Sequence, residues 1–151
     1  TSSPDAFCQL GSKSSKYRWR RLYTLREIKD LLLKAGYEIK SLISISPIKR
    51  NLSGHVEQLL IKTKTQDFII KGEYKIRKAL GGLRSGLFWI EIKMLKNKPE
   101  YFIFLGGGFG HAVGLCQCGA AKMGELGYNY KEILKHYFPK ANITNVYKKS
   151  K

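Results

Sequence analysis

The clearest pattern of apolar and polar positions in the chain lies between residues 24 and 36. Thr24 and Glu27 form a capping box, in which the Thr hydroxyl and the Glu carboxylate satisfy free backbone amides at the start of a helix. Gly36 supplies a left-handed cap at the other end. The apolar positions that share one face, at a spacing of about 3.6 residues, are Leu25, Ile28, Leu31, Leu32 and Ala35. The pattern predicts an amphipathic helix.

Outside this helix, apolar residues alternate with polar ones or form short β-branched and aromatic runs, which are typical of strands. The predicted strands cover residues 17–19, 43–46, 56–63, 68–71, 87–94, 101–105 and 143–147. Turn sequences such as Asn51-Leu52-Ser53-Gly54 and Asn97-Lys98-Pro99 separate neighbouring strands. Because these connections are too short for parallel crossovers, the strands are predicted to be antiparallel.

Three further short helices are predicted at residues 73–80, 117–126 and 130–137, and glycines or Pro139 follow their ends. A hydrophobic content of 43% is that of a globular protein. We therefore predict a single α+β domain over residues 1–151, built from antiparallel strands and a few short helices. A glycine-rich strand-to-helix turn at residues 106–114 follows the strand at 101–105.

The charge balance restricts the class of partner. Lys and Arg total 28 against 11 acidic residues, a formal net charge of +17, so the surface attracts a polyanion such as nucleic acid, anionic lipid or an acidic wall polymer. The three cysteines are an odd number, which excludes a closed disulfide framework that uses all of them. The sequence shows no signal-peptide pattern, and no apolar run reaches the about 18 residues of a membrane span.

The glycine-rich turn does not match the common cofactor motifs. A dinucleotide-binding fingerprint needs a glycine at position 111 or 113, where the chain has His111 and Val113. A metal site from His111, Cys116 and Cys118 fits no common zinc spacing, so two small buried thiols are the favoured interpretation. A Cys–His nucleophile pair needs the thiol and the imidazole in hydrogen-bond reach with an orienting third group; His111 and Cys116 could meet across the turn, but nothing in the sequence shows it. We predict no cofactor and no metal.

His111 is the best single candidate for a functional side chain, because it lies among glycines on a turn, and loops on a rigid scaffold concentrate function. His55 and His136 are interpreted as structural residues, at a strand edge and a helix end respectively. Paired carboxylates for glycoside chemistry are not found, since the glutamates are scattered and none is expected next to the glycine turn. These glutamates are Glu57, Glu73, Glu91, Glu100, Glu125 and Glu132.

Two stretches carry a resemblance to a known family. GGGFGHAVGLCQCGAAKMGELGYNYKEILKHYFPKANITNVY, from Gly106, matches approximately G-x-G-F/W-G-H-G-V-G-M/L-S/C-Q-W/Y-G-A followed by Y-x-E-I-L-x-H-Y-Y. RKALGGLRSGLF, from Arg77, is similar to Arg-x-x-Leu-Gly-x-x-x-Ser-x-x-Phe. On these residues the chain resembles the stage II sporulation protein D family, also called the amidase enhancer family. Ala112 replaces a common glycine, and Cys118 stands where an aromatic residue is usual.

The resemblance implies an extracytoplasmic role in bacterial peptidoglycan remodelling, related to lytic transglycosylases that act on glycan strands from which amidases have removed the stem peptides. Such denuded strands expose lactyl carboxylates, so a surface of net charge +17 is expected to steer onto them. The family's catalytic glutamate lies in an N-terminal segment resembling Glu-x-Tyr-Leu-x-x-Val-x-x-x-Glu, where some members also bind zinc. This chain contains neither the segment with the catalytic glutamate nor the zinc-binding residues found there in some members, and it resembles the C-terminal part of a family member. Three explanations stay open: either upstream sequence is missing, or the gene is split, or the protein binds glycan without cleaving it.

The resemblance places the glycine turn on the floor of a glycan-binding groove. It implies that His111 and Gln117 hydrogen-bond to sugar or to an oxyanion on a turn formed by Gly108 and Gly110, and that Arg84 and Ser85 are further candidates for contacts with carboxylates and hydroxyls. It implies no catalytic residue in this chain and no nucleic-acid partner. Two alternatives stay open: a basic nucleic-acid-binding domain, suggested by charge and by Tyr17-Arg18-Trp19-Arg20, and a non-catalytic enhancer that docks on an N-acetylmuramoyl-L-alanine amidase.

Overall fold

The computed structural model describes Phe7, residues 17–111 and residues 113–144. The strands in this part of the chain are β1 (Arg18–Thr24), β2 (Leu42–Arg50), β3 (Val56–Thr63), β4 (Phe68–Lys71), β5 (Phe88–Leu95) and β6 (Lys98–Gly107). The helices are α1 (Leu25–Lys34), α2 (Glu73–Ala79), α3 (Gln117–Glu125) and α4 (Tyr130–Tyr137).

The strands form two antiparallel sheets of three strands each. The first has the order β1-β6-β5 and the second the order β2-β3-β4. The predicted α+β class, with antiparallel strands and a few short helices, is confirmed. Of the predicted last strand at 143–147, residues 143 and 144 belong to no strand, and residues 145–147 lie outside the described residues.

The chain separates into two compact units. Among the described residues, 17–111 form the sheet unit, which holds both sheets with α1 and α2. Phe7 and residues 113–144 form the helical unit, which holds α3 and α4. None of the helices in the described part of the chain is both long enough and apolar enough to cross a membrane.

The sheet unit is organised around α1 and the inner faces of the sheets. Thr24 accepts the Glu27 N–H and Glu27 accepts the Thr24 N–H, as the capping box predicts. Gly36 follows the helix with φ 90°. The helix buries its predicted apolar face, on which Ile28 and Leu32 are fully buried. The large side chains buried with them include Leu59, Ile61, Ile70, Ile76, Leu80, Phe88, Phe102 and Phe104.

Two connections differ from the sequence prediction. β2 continues through Pro47 instead of stopping before it, which an edge strand tolerates because one row of its amides faces away from the sheet. The turn between β5 and β6 is the residue pair Lys96 and Asn97, with φ 47° and 61°, and not Asn97-Lys98-Pro99. Two positive φ values suit a tight hairpin turn, so Pro99 is left inside β6.

Candidate functional site

The glycine turn begins where β6 ends. The Trp19 indole lies so close to Gly106 that a Cβ there would collide with the ring. Gly108, with φ 77°, donates its N–H to the Tyr17 carbonyl at 2.7 Å. Gly110 has φ 109°. These positions need glycine for close approach or for positive φ. The hydrogen bond from Gly108 to Tyr17 joins the turn to the residue that precedes β1.

The predicted residues Arg84 and Ser85 lie beside this turn. Gly110 donates its N–H to the Arg84 carbonyl at 2.8 Å, and Ser85 and Gly110 form an isolated parallel bridge. The Ser85 hydroxyl donates to the Gly107 carbonyl at 2.6 Å and accepts the Trp19 indole N–H at 3.2 Å. Ser85 is only 1% exposed. Its hydroxyl stabilises the backbone of the turn through these hydrogen bonds.

Arg77 on α2 forms hydrogen bonds to both segments, the one that carries Arg84 and Ser85 and the glycine turn. Its Nε donates to the Leu83 carbonyl at 2.8 Å, and its guanidinium donates to the Gly110 carbonyl at 3.1 Å and to the Glu73 carboxylate at 3.2 Å. Both charged side chains are about four-fifths buried, with exposures of 21% and 20%. Hydrogen bonds that involve a charged group are stronger than neutral ones, so Arg77 contributes strongly to the shape of the turn.

Glu73 is linked to the glycine turn through Arg77, whose guanidinium pairs with the Glu73 carboxylate and donates to the Gly110 carbonyl. Its side chain packs against Gly86, where a Cβ would collide with it, and its carboxylate pairs with Arg77. The spacing of four residues on α2 is the signal that sequence reasoning passed over, because a Glu–Arg pair at i and i+4 lies on one helix face. The sequence indicated Arg77 only as the first residue of the motif at residues 77–88.

His55 lies on a third loop, which connects β2 and β3. The Asn51 side-chain oxygen accepts the N–H groups of Ser53 and His55 at 3.1 and 2.9 Å, and the Ser53 hydroxyl lies 3.1 Å from Nδ1 of His55. The next residue, Val56, donates its N–H to the Gly86 carbonyl at 2.8 Å. His55 thus precedes β3 directly, which agrees with its interpretation as a strand-edge residue.

The surroundings of His55 favour the neutral imidazole. Burial is the main cause that lowers the pKa of His55, and the charges of Arg50 and Arg77 lower it further. A hydrogen bond with Ser53 and the charge of Glu73 act in the opposite direction. A buried ring between cationic groups binds a proton less readily than it does in water.

The structure brings five of the six predicted site residues together in the sheet unit. Gly108, Gly110 and the buried Ser85 form the frame, and Arg84 and His111 are exposed on it. Gln117 lies in the helical unit, as the exposed first residue of α3. The N–H groups of Gly107, Gly108 and Gly110 all donate to carbonyls inside the unit, so these amides do not form an oxyanion hole.

Phe109 is an aromatic side chain on the same turn that sequence reasoning left without a role. It is 72% exposed, between two glycines of positive φ. The chemistry that this turn presents is thus a guanidinium, an imidazole and an aromatic ring. Together they suit a ligand with carboxylates, hydroxyls and apolar ring faces.

The cysteines differ from the sequence expectation. Cys116 is exposed and Cys118 is half-buried, so the prediction of two buried thiols is wrong for Cys116. Cys8 lies outside the described residues. In the part of the chain that the structure covers, no three His, Cys, Asp or Glu side chains form a cluster that could hold a metal ion.

Comparison with known proteins gives curated relatives over most of the chain. The chain is 32% identical over 134 residues to stage II sporulation protein D of Bacillus amyloliquefaciens, which covers 87% of this chain and 35% of that protein. The identity to the protein of the same name from Bacillus subtilis is 29% over 133 residues, with the same coverage. The amidase enhancer of Bacillus subtilis is 35% identical over 51 residues, 34% of this chain and 7% of that protein.

The predicted resemblance to stage II sporulation protein D and the amidase enhancer is confirmed by these matches. The chain spans about a third of the length of the sporulation proteins that it matches, 35% in both cases. A family model described as a domain of unknown function, DUF8618, matches residues 9–114, a range that contains both sheets and the glycine turn. The chain therefore belongs to the DUF8618 domain family.

Proposed function

We propose that this chain acts in bacterial cell-wall remodelling by binding peptidoglycan glycan strands from which the stem peptides have been removed. The observation that carries the proposal is a turn fixed from inside by Arg77 and Ser85, which leaves Arg84 and His111 exposed. The similarity to proteins named stage II sporulation protein D and amidase enhancer supports the choice of ligand.

The exposed groups suit a denuded glycan in their chemistry. Each muramic acid of such a strand carries a lactyl carboxylate, with which the Arg84 guanidinium forms a charge-assisted hydrogen bond. His111 exchanges hydrogen bonds with sugar hydroxyls, and the Phe109 ring covers an apolar face of a pyranose. Gln117, in the helical unit, is proposed separately as a further contact with sugar hydroxyls. Gly108, Gly110 and Ser85 keep the turn in shape and make no contact with sugar in this proposal. The site lies outside the cytoplasm, where the polymer is.

The net charge of +17 supports the same ligand through long-range attraction. A denuded strand is a regular polyanion, so a cationic surface raises the rate of encounter and makes binding salt-dependent. Intact peptidoglycan carries peptides that block the sugars and change its charge. We therefore expect binding to denuded strands to exceed binding to intact peptidoglycan, and to weaken as salt is added.

Co-sedimentation tests the proposal. The purified chain is mixed with insoluble denuded glycan, with intact peptidoglycan and with an excess of competing DNA, and the bound fraction is measured. We expect Arg84→Gln and His111→Ala each to weaken binding to denuded glycan by about three- to tenfold, since an exposed contact of this kind contributes up to about 1.4 kcal/mol. Arg26→Gln is the matched control, because Arg26 is an exposed arginine on α1.

The proposal fails if denuded glycan retains no more protein than intact peptidoglycan, or if DNA displaces the protein completely at equal charge concentration. It also fails if Arg26→Gln weakens binding as much as Arg84→Gln, because the attraction would then depend on total charge and not on the glycine turn.

An amidase is a second partner that we propose, on the strength of the match to the amidase enhancer. The chain is expected to raise the rate at which an N-acetylmuramoyl-L-alanine amidase releases peptides from intact peptidoglycan. A turnover assay of the amidase with and without the chain measures this directly. An unchanged rate at saturating chain removes the amidase from the proposal and leaves glycan binding in place.

A further inference from the structure

The outer face of the first sheet carries a row of exposed side chains. The strand register places Arg20 of β1, Leu105 of β6 and Trp89 of β5 directly opposite one another. Residues opposite one another on neighbouring strands point to the same face of a sheet. Trp89 is 56% exposed and Leu105 38% exposed, and Arg20 is exposed as well. Trp89 is thus a large, mainly apolar side chain with more than half of its surface exposed to solvent.

The neighbouring row shows why this face is open. Trp19, Gly106 and Phe88 lie opposite one another in the adjacent row, and all three are buried on the inner face. The alternation along each strand therefore sends Trp89 and Arg20 outward. The exposure of the outer row follows from the strand register.

A groove of about 520 Å³ runs along this row. Tyr17, Arg18, Trp89 and Leu105 line it, and its floor includes Gly107 at the end of β6. Gly107 contributes no side chain, and the Arg18 guanidinium lies 3.2 Å from the position that a Cβ of residue 107 would take. Gly106 and Gly107, which line the groove, are also the first two residues of the glycine turn.

The groove is cationic and aromatic at the same time. The Arg18 guanidinium lies 4.0 Å from the centre of the Tyr17 ring, and the Arg50 guanidinium lies 5.3 Å from the centre of the Trp89 ring. Arg20 adds a second positive charge to the lining of the groove, beside Arg18. None of the described residues that line it is acidic. Its chemistry is therefore complementary to a ligand that combines negative charges with apolar faces.

We infer that this groove is an extended saccharide subsite, in which the Trp89 ring stacks on a sugar of an acidic glycan strand and the arginines Arg18 and Arg20 bind its carboxylates. The inference rests on the proposed function and adds to it a second contact surface along the strand. A pyranose presents C–H groups on one face, which pack against an indole. Carboxylates of neighbouring sugars meet the guanidinium groups of Arg18 and Arg20 on β1, across β6 from the indole.

The groove fits a glycan better than a single-stranded nucleic acid. Nucleic-acid platforms stack successive bases on successive aromatic rings. Among the aromatic residues that line it, Trp19 is buried and Tyr17 is half-buried with Arg18 over its ring. Trp89 also has a guanidinium over its ring, that of Arg50, but it remains 56% exposed and is the one lining ring with a large exposed surface. A glycan with one charge per disaccharide requires no more than that.

Isothermal titration with soluble denuded glycan strands, one preparation long and one limited to short oligosaccharides, tests the inference. Trp89→Ala and Arg20→Gln are expected to weaken the binding of long strands about tenfold each, which converts to about 1.4 kcal/mol. Short oligosaccharides that occupy only the glycine turn are expected to bind all variants alike. Tyr74→Ala and Arg26→Gln are matched controls, since both residues are exposed on helices of the same unit.

The outcomes separate the two proposals. If the wild-type chain binds neither preparation, the proposed function itself fails. If it binds long strands but Trp89→Ala and Arg20→Gln bind them equally well, the subsite is overturned and the function stands. If the two variants lose affinity for single-stranded DNA and keep their affinity for glycan, the groove is a nucleic-acid platform and the subsite is again overturned. A thermal unfolding midpoint equal to that of the wild type shows that each variant is folded.

Discussion

The sheet unit and the helical unit differ most in how much apolar side chain each one buries. The sheet unit packs fully buried aromatic and aliphatic residues from α1, α2 and both sheets. In the described residues of the helical unit, Met123 is the one side chain that is buried, and α4 has no buried residue. Buried apolar area is the main source of folding stability. The sheet unit therefore holds most of the stability of the chain.

This difference bears on where a precise site is placed. Arg84 and His111 stand on loops joined by buried hydrogen bonds to a packed core, whereas Gln117 begins a helix with little core beneath it. A contact held within a narrow geometry needs rigid support. The helical unit relies more on local devices, such as the Asn129 capping box at the start of α4.

The largest effect is expected from Phe104→Ala. Phe104 is fully buried and packs against the rings of Tyr23 and Phe88, both with centroids 5.7 Å away. We expect a loss of about 3–5 kcal/mol in the free energy of unfolding, measured by urea denaturation. Leu134→Ala in α4 is the matched change in the helical unit, where the half-buried side chain is expected to cost about 1 kcal/mol. Equal losses would contradict the contrast between the units.

The next effect concerns a charged side chain in each unit. Arg77→Met removes hydrogen bonds to two backbone carbonyls and leaves Glu73 without its cation, so we expect a loss of about 2–3 kcal/mol. Lys122→Met in α3 removes an ion pair with Glu125, whose side chain is 57% exposed. That change is expected to cost less than about 0.5 kcal/mol. If the two variants unfold at the same urea concentration, Arg77 does not support the turn as described.

A pair of glycine substitutions is expected to have opposite signs. Gly106→Ala forces a Cβ into the Trp19 ring and should destabilise the sheet unit by about 1–3 kcal/mol. Gly124→Ala in α3 meets open space and should stabilise the helix by about 0.5–1 kcal/mol. Denaturation midpoints measure the first change, and amide hydrogen exchange of α3 measures the second. A stable Gly106→Ala variant would show that Trp19 moves easily from its position.

The smallest effect is a pH dependence from His55. Because the pKa of His55 in the folded state lies below its ordinary value of 6.5, the unfolded chain takes up the proton first as pH falls. The stabilising contribution of the neutral ring is complete above pH 6.5 and is lost as pH falls from there to the folded-state pKa. The free energy of unfolding of His55→Gln should therefore fall less than that of the wild type on acidification. Parallel curves for His55→Gln and the wild type would contradict this.

The local elements were predictable because their signals are local. Thr24 and Glu27 mark the start of α1, and the strands at 56–63 and 68–71 have the bounds that their alternation predicts. The hairpin turn lies at Lys96 and Asn97 and not at Asn97-Lys98-Pro99, because Asn97 adopts positive φ and Pro99 stays within the strand. Pattern alone does not show which of two neighbouring turn residues adopts that conformation.

The frame of the candidate site was not predictable in the same way. The bond from Arg77 to the Gly110 carbonyl joins residues 33 apart, and the bond from Trp19 to Ser85 joins residues 66 apart. Both depend on how the sheet places its loops, which no window of sequence contains. The motif at residues 77–88 indicated that the segment matters, and the structure gives the physical reason.

The two tryptophans of the chain have opposite surroundings, and this makes the protein its own optical reporter. Trp19 is 7% exposed and donates its indole N–H to Ser85, so we expect it to emit at a shorter wavelength that increases when the sheet unit unfolds. Trp89 is 56% exposed, so we expect it to emit at a longer wavelength that decreases when a ligand covers the ring. Trp89→Phe isolates the folding signal and Trp19→Phe the ligand signal, without any added label.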